Sequence, residues 1–213
     1  MTTRPGGGSG TVLHYNGSAW SNISDRDITT TTLNDVWASG NEAFAVGYNG
    51  TIIHIAGTTL TAMTNESTET LYGVWGASPT DVFAVGDKGT ILHCTGTMWS
   101  PMTIVGLTSS IFSITGIGPS DVYAVAGYGF LLHYNGTLWT AKAIGYASYN
   151  ARLWMPKASN LFIAYYSSMF HYDGSTLAYV PQLTYSPLYG ISGSDPSNGF
   201  AVGYASTILK YGP

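Results

Sequence analysis

Apolar and polar residues alternate along this chain in short runs, and no stretch keeps a helical period. Between Leu71 and Met102 the runs read LYGVW, DVFAVG, TILHC and MWSPM, with glycine, proline, serine or threonine at each join. Alternation over a few residues between such joins predicts β-strands. The same order of runs returns from Leu33, Ile111, Asn150 and Leu188. Four strands in a unit of roughly 40 residues is the pattern of a propeller blade. The chain therefore reads as all-β, a five-bladed β-propeller of four-stranded antiparallel blades, with strands a, b, c and d counted outward from the axis.

Strand c recurs once more than the others. Its copies are Thr11 to Tyr15, Thr51 to Ile55, Thr90 to Cys94, Phe130 to Tyr134, Met169 to Tyr172 and Thr207 to Tyr211. The pattern thus opens partway through a blade. Residues 10–24 are expected to complete the last blade, so that strands from the two ends share it and no sheet edge stays bare. Residues 1–9, MTTRPGGGS, read as a flexible lead-in to a single domain over 10–213. The surplus copy of strand c offers a route to an oligomer.

Most repeated residues read as architecture. His14, His54, His93, His133 and His171 share one position of strand c, where Lys210 stands in the sixth copy. Strands lie ~4.8 Å apart, so equivalent side chains in neighbouring blades stand over ~10 Å apart, whereas zinc needs ligands at ~2.0–2.1 Å. No metal site is expected from them. Each imidazole is expected to pack between blades and give its N–H to a loop carbonyl. After each histidine comes a tight turn whose glycine, Gly17, Gly57, Gly96, Gly136 or Gly174, supplies a positive φ. Strand b carries Phe44, Phe83, Tyr123, Phe162 and Phe200 beside small residues, as interlocking blades require. Glu42, Asp81, Asp121, Asn160 and Asn198 open strand b, where a short polar side chain is expected to bond backbone N–H groups of the turn.

Composition narrows the function. Charged residues make up only 8% of the chain and the net charge is −4. Lys and Arg number seven in all, which argues against nucleic acid, whose phosphates need basic clusters. No apolar run is long enough to insert in a membrane as a helix. The single Cys94 leaves no internal disulfide and no cysteine metal cluster, and nothing in the pattern calls for a cofactor. A charge-poor surface rich in Thr, Ser and Tyr points to a secreted or cell-surface protein.

The hairpin after strand c, with Asn16, Asn135 or Asp173, then glycine, then Trp20, Trp139 or Leu177, resembles a shortened Asp-box. That hairpin marks the BNR-repeat propellers, which include sialidases, sortilin-like receptors and photosystem II assembly-factor-like propellers. Ala56 and Thr95 depart from the acidic position, and the hairpin is a residue shorter than the usual box. In that family the box is structural, so the resemblance implies the fold and not an activity. The Asn-Gly-Ser/Thr triplets at Asn16, Asn49 and Asn135 also match glycosylation sequons; hairpin chemistry accounts for them.

Functional candidates lie where the copies differ. One position of strand a reads Asp35, Gly73, Ser113, Arg152 and Gly190. A charge in that crowded zone must be paired or must point into the channel mouth. The residue two further on reads Trp37, Trp75, Thr115, Trp154 and Ser192, either interblade packing or an aromatic wall for a ligand. The fourth repeat diverges most, with Asn150, Arg152, Trp154 and Lys157 close together. The d–a and b–c loops share a face that gathers Tyr48, Tyr128, Tyr146, Tyr149, Tyr166, Tyr185 and Tyr204. Tyrosine gives a flat apolar body with a polar tip and loses little entropy on binding.

Enzymatic chemistry is poorly served. BNR-type sialidases hold the substrate carboxylate with three arginines, and this chain has Arg4, Arg26 and Arg152 in total. A glycosidase needs two carboxylates across one cleft; Asp35 is the one axial acid, although Asp25, Asp27 or Glu69 could reach the mouth. The reading is a non-catalytic recognition module for a glycan or protein partner on the d–a and b–c loop face. Its alternatives are a BNR-type glycoside hydrolase-like enzyme and a structural module of a larger surface or filament assembly.

Overall fold

The computed structural model describes residues 2–5, 10–145, 151–181 and 184–211, the first four as backbone alone. The chain is an all-β, five-bladed β-propeller built on four-stranded antiparallel blades. Its strands group into two compact units, residues 1–111 and residues 112–213.

The first unit opens with a three-stranded sheet of β1 (Thr2–Pro5), β2 (Val12–Tyr15) and β3 (Trp20–Asn22). Blade 1 follows as β4 (Leu33–Ser39), β5 (Glu42–Gly47), β6 (Ile52–Ala56) and β7 (Thr59–Ala62). Blade 2 is β8 (Leu71–Ser78), β9 (Asp81–Gly86), β10 (Ile91–Thr95) and β11 (Trp99–Met102). In the second unit blade 3 is β12 (Ile111–Gly118), β13 (Asp121–Ala126), β14 (Phe130–Tyr134) and β15 (Trp139–Ala143). Blade 4 is β16 (Arg152–Lys157), β17 (Asn160–Tyr165), β18 (Ser168–Tyr172) and β19 (Leu177–Val180). The fifth repeat gives a sheet of β20 (Leu188–Asp195), β21 (Asn198–Gly203) and β22 (Ile208–Tyr211). The short helical turns described are 3-10, at Tyr48–Gly50 and Asp87–Gly89.

The beginning of the chain differs from expectation. Thr2–Pro5, read as part of a lead-in, is a strand paired antiparallel with β2, Thr3 opposite His14. The segment assigned by sequence to the last blade lies in a sheet with that strand. The physical reason is an edge: β2 has β3 on one side, and β1 takes up the backbone groups on the other.

Blades pack through the alternating faces of strands b and c. In the first unit Val12 of the first sheet meets Leu33, Ala43, Ala45, Ile53 and Ile55, while Phe44, Val46 and Ile52 meet Val74, Val82, Leu92 and Trp99 of blade 2. In the second unit Tyr123, Val125 and Leu131 meet Leu161, Ile163, Phe170 and Tyr172. Burying one such Phe or Ile contributes about 1.5–3 kcal/mol. The hairpin glycines have positive φ as predicted, 102° at Gly17 and 96° at Gly174. Gly86, at the end of strand b, is required for a different reason. Its backbone is extended, but a Cβ there would sit 2.1 Å from the carbonyl oxygen of Thr70.

Two repeated roles need correction, and they correct each other. His54, His93, His133 and His171 do not serve loop carbonyls, and Glu42, Asp81, Asp121 and Asn160 do not serve turn amides. They are partners. His93 Nε2 donates to Asp81 Oδ1 at 2.6 Å, His133 to Asp121 at 2.9 Å, His171 to Asn160 Oδ1 at 3.0 Å, and His54 to Glu42. Register explains this. Phe83 pairs with His93, so Asp81, two residues earlier on the same face, is the diagonal neighbour of the imidazole. Each ring also lies on the strand b aromatic, with centroids 4.0 Å apart and planes 5° apart for Phe83 and His93.

Candidate functional site

Several residues singled out by sequence are taken up by packing between blades. Asp35 sits at a register shift in β4, where Oδ1 accepts from Val36 N and Oδ2 from Val74 N of the next blade, both at 2.9 Å. Ser113 does the same work two blades on, accepting from Leu153 N at 3.2 Å. The position is a strut that satisfies a strand a amide across a junction. Arg152 Nη1 donates to the carbonyl of Ala151 at 3.2 Å. Trp37 packs against the core of blades 1 and 2, where a Cβ on Gly76 would lie 2.8 Å from its ring. Trp154 is buried, stacked on Phe162 with centroids 5.1 Å apart, and its ring fills the space left by Gly193 and Gly199. Trp75 is half-buried. Pro156, which donates no amide, lies in the register shift between Trp154 and Lys157. Asn150, Tyr146 and Tyr149 lie outside the described residues.

The loop face remains. Strand b ends in a turn that is pinned by the link preceding the blade. Tyr48 N donates to Thr32 O, Asp87 N to Thr70 O, and Tyr204 N to Pro187 O, at 3.0, 2.9 and 2.8 Å. Leu188 N likewise donates to Tyr166 O at 2.7 Å. These bonds put the b–c turns and d–a links side by side, as the sequence predicts.

The turn forces one residue into the left-handed region. In the first unit that residue is Asn49 (φ 56°) or Lys88 (φ 53°). In the second unit it is Tyr128 (φ 61°), Tyr166 (φ 50°) and, in the last sheet, Ala205 (φ 52°) with Ser206 (φ 58°). Asparagine tolerates this region; a bulky side chain there is an outlier. Both tyrosine side chains are nonetheless out in water, 74% and 64% exposed. Tyr185 and Tyr204 of the same unit are exposed as well. Sequence reading gathered these tyrosines by loop but missed the backbone conformation. Gly127 and Gly129, flanking Tyr128, were the available signal.

In the first unit the same loops hold a polar tie. Asp87 accepts from Ser110 Oγ at 2.6 Å and from Tyr72 OH at 3.1 Å. Burial, then the bond to this carboxylate, push the Tyr72 phenol up to about 12. Lys88 bonds Glu69 at 2.8 Å. On the hairpins, Asp173 Oδ1 accepts from the amides of Thr176 and Ser175 at 2.7 and 2.9 Å, and Asn16 does the same for Ser18 and Ala19. The Thr176 amide, followed by the Ser175 amide and hydroxyl, holds Asp173 at about 2. Among the described residues no three His, Cys, Asp or Glu side chains come together as metal ligands.

The fold and loop face define a β-propeller. No protein-family model and no curated protein matches the chain. Solved structures do resemble it. YCF48 bound to D1 peptide superposes with a TM-score of 0.72 at 17% identity, over 95% of this chain and 71% of that one. A catalytically inactive virginiamycin B lyase from Staphylococcus aureus with quinupristin gives 0.76 at 10% identity, over 96% and 78%. Sqt1 from Chaetomium thermophilum gives 0.74 at 10% identity, over 95% and 63%. At these identities the likeness is one of fold. No helix among the described residues is long and apolar enough to cross a membrane.

Proposed function

We propose that this propeller is a non-catalytic recognition module that binds an extended segment of a protein partner on the loop face of its second unit. The observation that carries the reading is the pair Tyr128 and Tyr166, each in a left-handed turn with its ring exposed. Strained side chains persist where something repays the strain, and binding surfaces are the usual place. Tyr185 and Tyr204, on loops of the same unit, are exposed as well, and the serines and threonines of the loops add adaptable hydrogen bonds. A protein ligand is favoured over a glycan because one propeller of similar fold, YCF48, is described as bound to a peptide. A non-catalytic role is favoured because Asp35, the axial acid, gives both oxygens to backbone amides. The charge-poor, Thr- and Tyr-rich composition suits a secreted or surface-displayed protein, and the Asx hairpins suit an Asp-box relative.

A displayed peptide library panned against the wild type and a Tyr128→Ala/Tyr166→Ala variant tests this, with a glycan array run in parallel. Enriched peptides that bind the wild type and lose at least tenfold on the variant are expected. Peptides indifferent to both substitutions, or binding confined to the glycan array, would overturn the reading.

A further inference from the structure

The chain contains four Asn-Gly steps, at Asn16, Asn49, Asn135 and Asn198. The fold treats them in two ways. Gly50, after Asn49, gives its amide to Glu69 O at 2.9 Å. Gly199, after Asn198, lies inside β21, paired with β20 on one side and β22 on the other. Asn16 and Asn135 instead open the turns between strands c and d, where both are exposed. Among the described residues the amides of Gly17 and Gly136, which follow them, have no hydrogen-bond partner.

These two turns also hold the asparagine oxygen. Asn16 Oδ1 accepts from Ser18 N, Ser18 Oγ and Ala19 N, each at 2.9 Å. Asn135 Oδ1 accepts from Thr137 N and Leu138 N, both at 3.0 Å. Donors fixed on an amide oxygen leave Cγ electron-poor, and they are already in place for the negative charge that reaches this oxygen when Cγ is attacked. The nucleophile at hand is the nitrogen of the following glycine, which has no side chain to shield it and closes a five-membered ring without a second molecule.

A third turn shows the end point. Asp173 stands where Asn16 does, and its Oδ1 takes the same three donors: Ser175 N and Ser175 Oγ at 2.9 Å, and Thr176 N at 2.7 Å. These bonds hold its carboxyl at about 2, so the turn favours a carboxylate.

We propose that the Asn16 and Asn135 turns are sites of self-modification, at which the side-chain amide is converted to a carboxylate. The glycine nitrogen loses its proton to solvent and bonds to Cγ. The Cγ–Nδ2 bond breaks, and ammonia leaves with a proton taken back from solvent. Water then opens the cyclic imide at one of its two carbonyl carbons, giving aspartate or its isomer. The sum is one water in and one ammonia out, with no change of oxidation state. Each conversion adds one negative charge to a chain of net charge −4, and aspartate at either site reproduces the Asp173 turn.

Peptide mapping by mass spectrometry tests this, on the folded full chain held in mildly alkaline buffer made with oxygen-18 water, and on the same chain in concentrated urea. In the folded chain Asn16 and Asn135 are expected to convert at least tenfold faster than Asn49 and Asn198, each gaining one heavy oxygen. In urea the four rates should draw together, because all share the same dipeptide. Ser18→Ala, at an exposed position, should slow Asn16 about threefold and leave Asn135 unchanged. Folded-state rates at Asn16 and Asn135 no higher than at Asn49 and Asn198, the same spread of rates in urea, or a Ser18→Ala chain that converts like the wild type would overturn the proposal.

Discussion

If the Tyr128 and Tyr166 rings serve a ligand and not the fold, replacing them with glycine should separate stability from binding. An L-residue in the left-handed region pays roughly 1–2 kcal/mol, and glycine removes that cost while losing about 0.5–1 kcal/mol through the freer unfolded chain. The net is a gain of about 0.5 kcal/mol per site, because each ring is exposed and its removal opens no cavity. The backbone bond from Leu188 N to Tyr166 O is untouched by the change. Two sites together should raise the stability by about 1 kcal/mol, which for a chain of this size moves Tm up by roughly 2–4 °C. Urea unfolding followed by tryptophan fluorescence, with an unchanged m value, measures it. Asn49→Gly is the control, since asparagine pays less in this region and should gain less. Peptide binding should fall at least tenfold in the same double variant. A loss of 1 kcal/mol or more would refute the reasoning, because it would mean that the rings hold their turns and that their exposure carries no functional message.

Gly199→Ala would place a Cβ 2.5 Å from the Trp154 ring and should cost about 1–3 kcal/mol as overpacking; Trp154→Phe in the same chain should recover part of it, so a double-mutant cycle by urea unfolding that came out additive would reject the contact. Asp35→Ala leaves the amides of Val36 and Val74 without their carboxylate, at a cost of about 1 kcal/mol for this half-buried site, read in the same assay, with Asp35→Asn losing less. Asp173 has a folded pKa near 2, below its unfolded value, so its stabilising effect is fully present above the ordinary carboxylate range and is lost as pH falls toward 2. The Thr176 and Ser175 amide resonances should shift in that window, and Asp173→Asn should flatten the titration.

The period of the chain carried the fold because each strand has to bury one face, and alternating residues announce which one. Gly96 and Phe83 could be assigned from spacing alone. The register between strands is not written in the spacing, so Asp81 and His93 each read as needing a backbone partner although they bond each other. The tryptophans were ambiguous for a related reason. Trp37 and Trp154 read equally well as a ligand wall until Gly76, Gly193 and Gly199 are seen to form their sockets, and those glycines lie in the next repeat. Asp35 looked like a lone axial acid because its partner, the Val74 amide, belongs to no side chain. The tyrosine face was legible by composition, but the strain at Tyr128 and Tyr166 is a backbone property that residue type does not announce.

The departures of the last repeat fall together, and that bears on how firmly its face is covered. Blades 1 to 4 place a histidine beside the strand b aromatic and fix it with a residue that opens strand b. In the last sheet Lys210 pairs with Phe200 where the histidine would be, and Asn198 bonds Ser194 Oγ at 2.9 Å. A lysine lays its stem on an apolar ring while its ammonium stays in water. Burying that ammonium in a permanent core would cost several kcal/mol, whereas a flat imidazole seated on a carboxylate packs away readily. The last sheet thus keeps the aromatic of the repeat but replaces the imidazole and its partner by a side chain suited to a solvated face, and Phe200 is accordingly 44% exposed where Phe44 and Phe162 are buried.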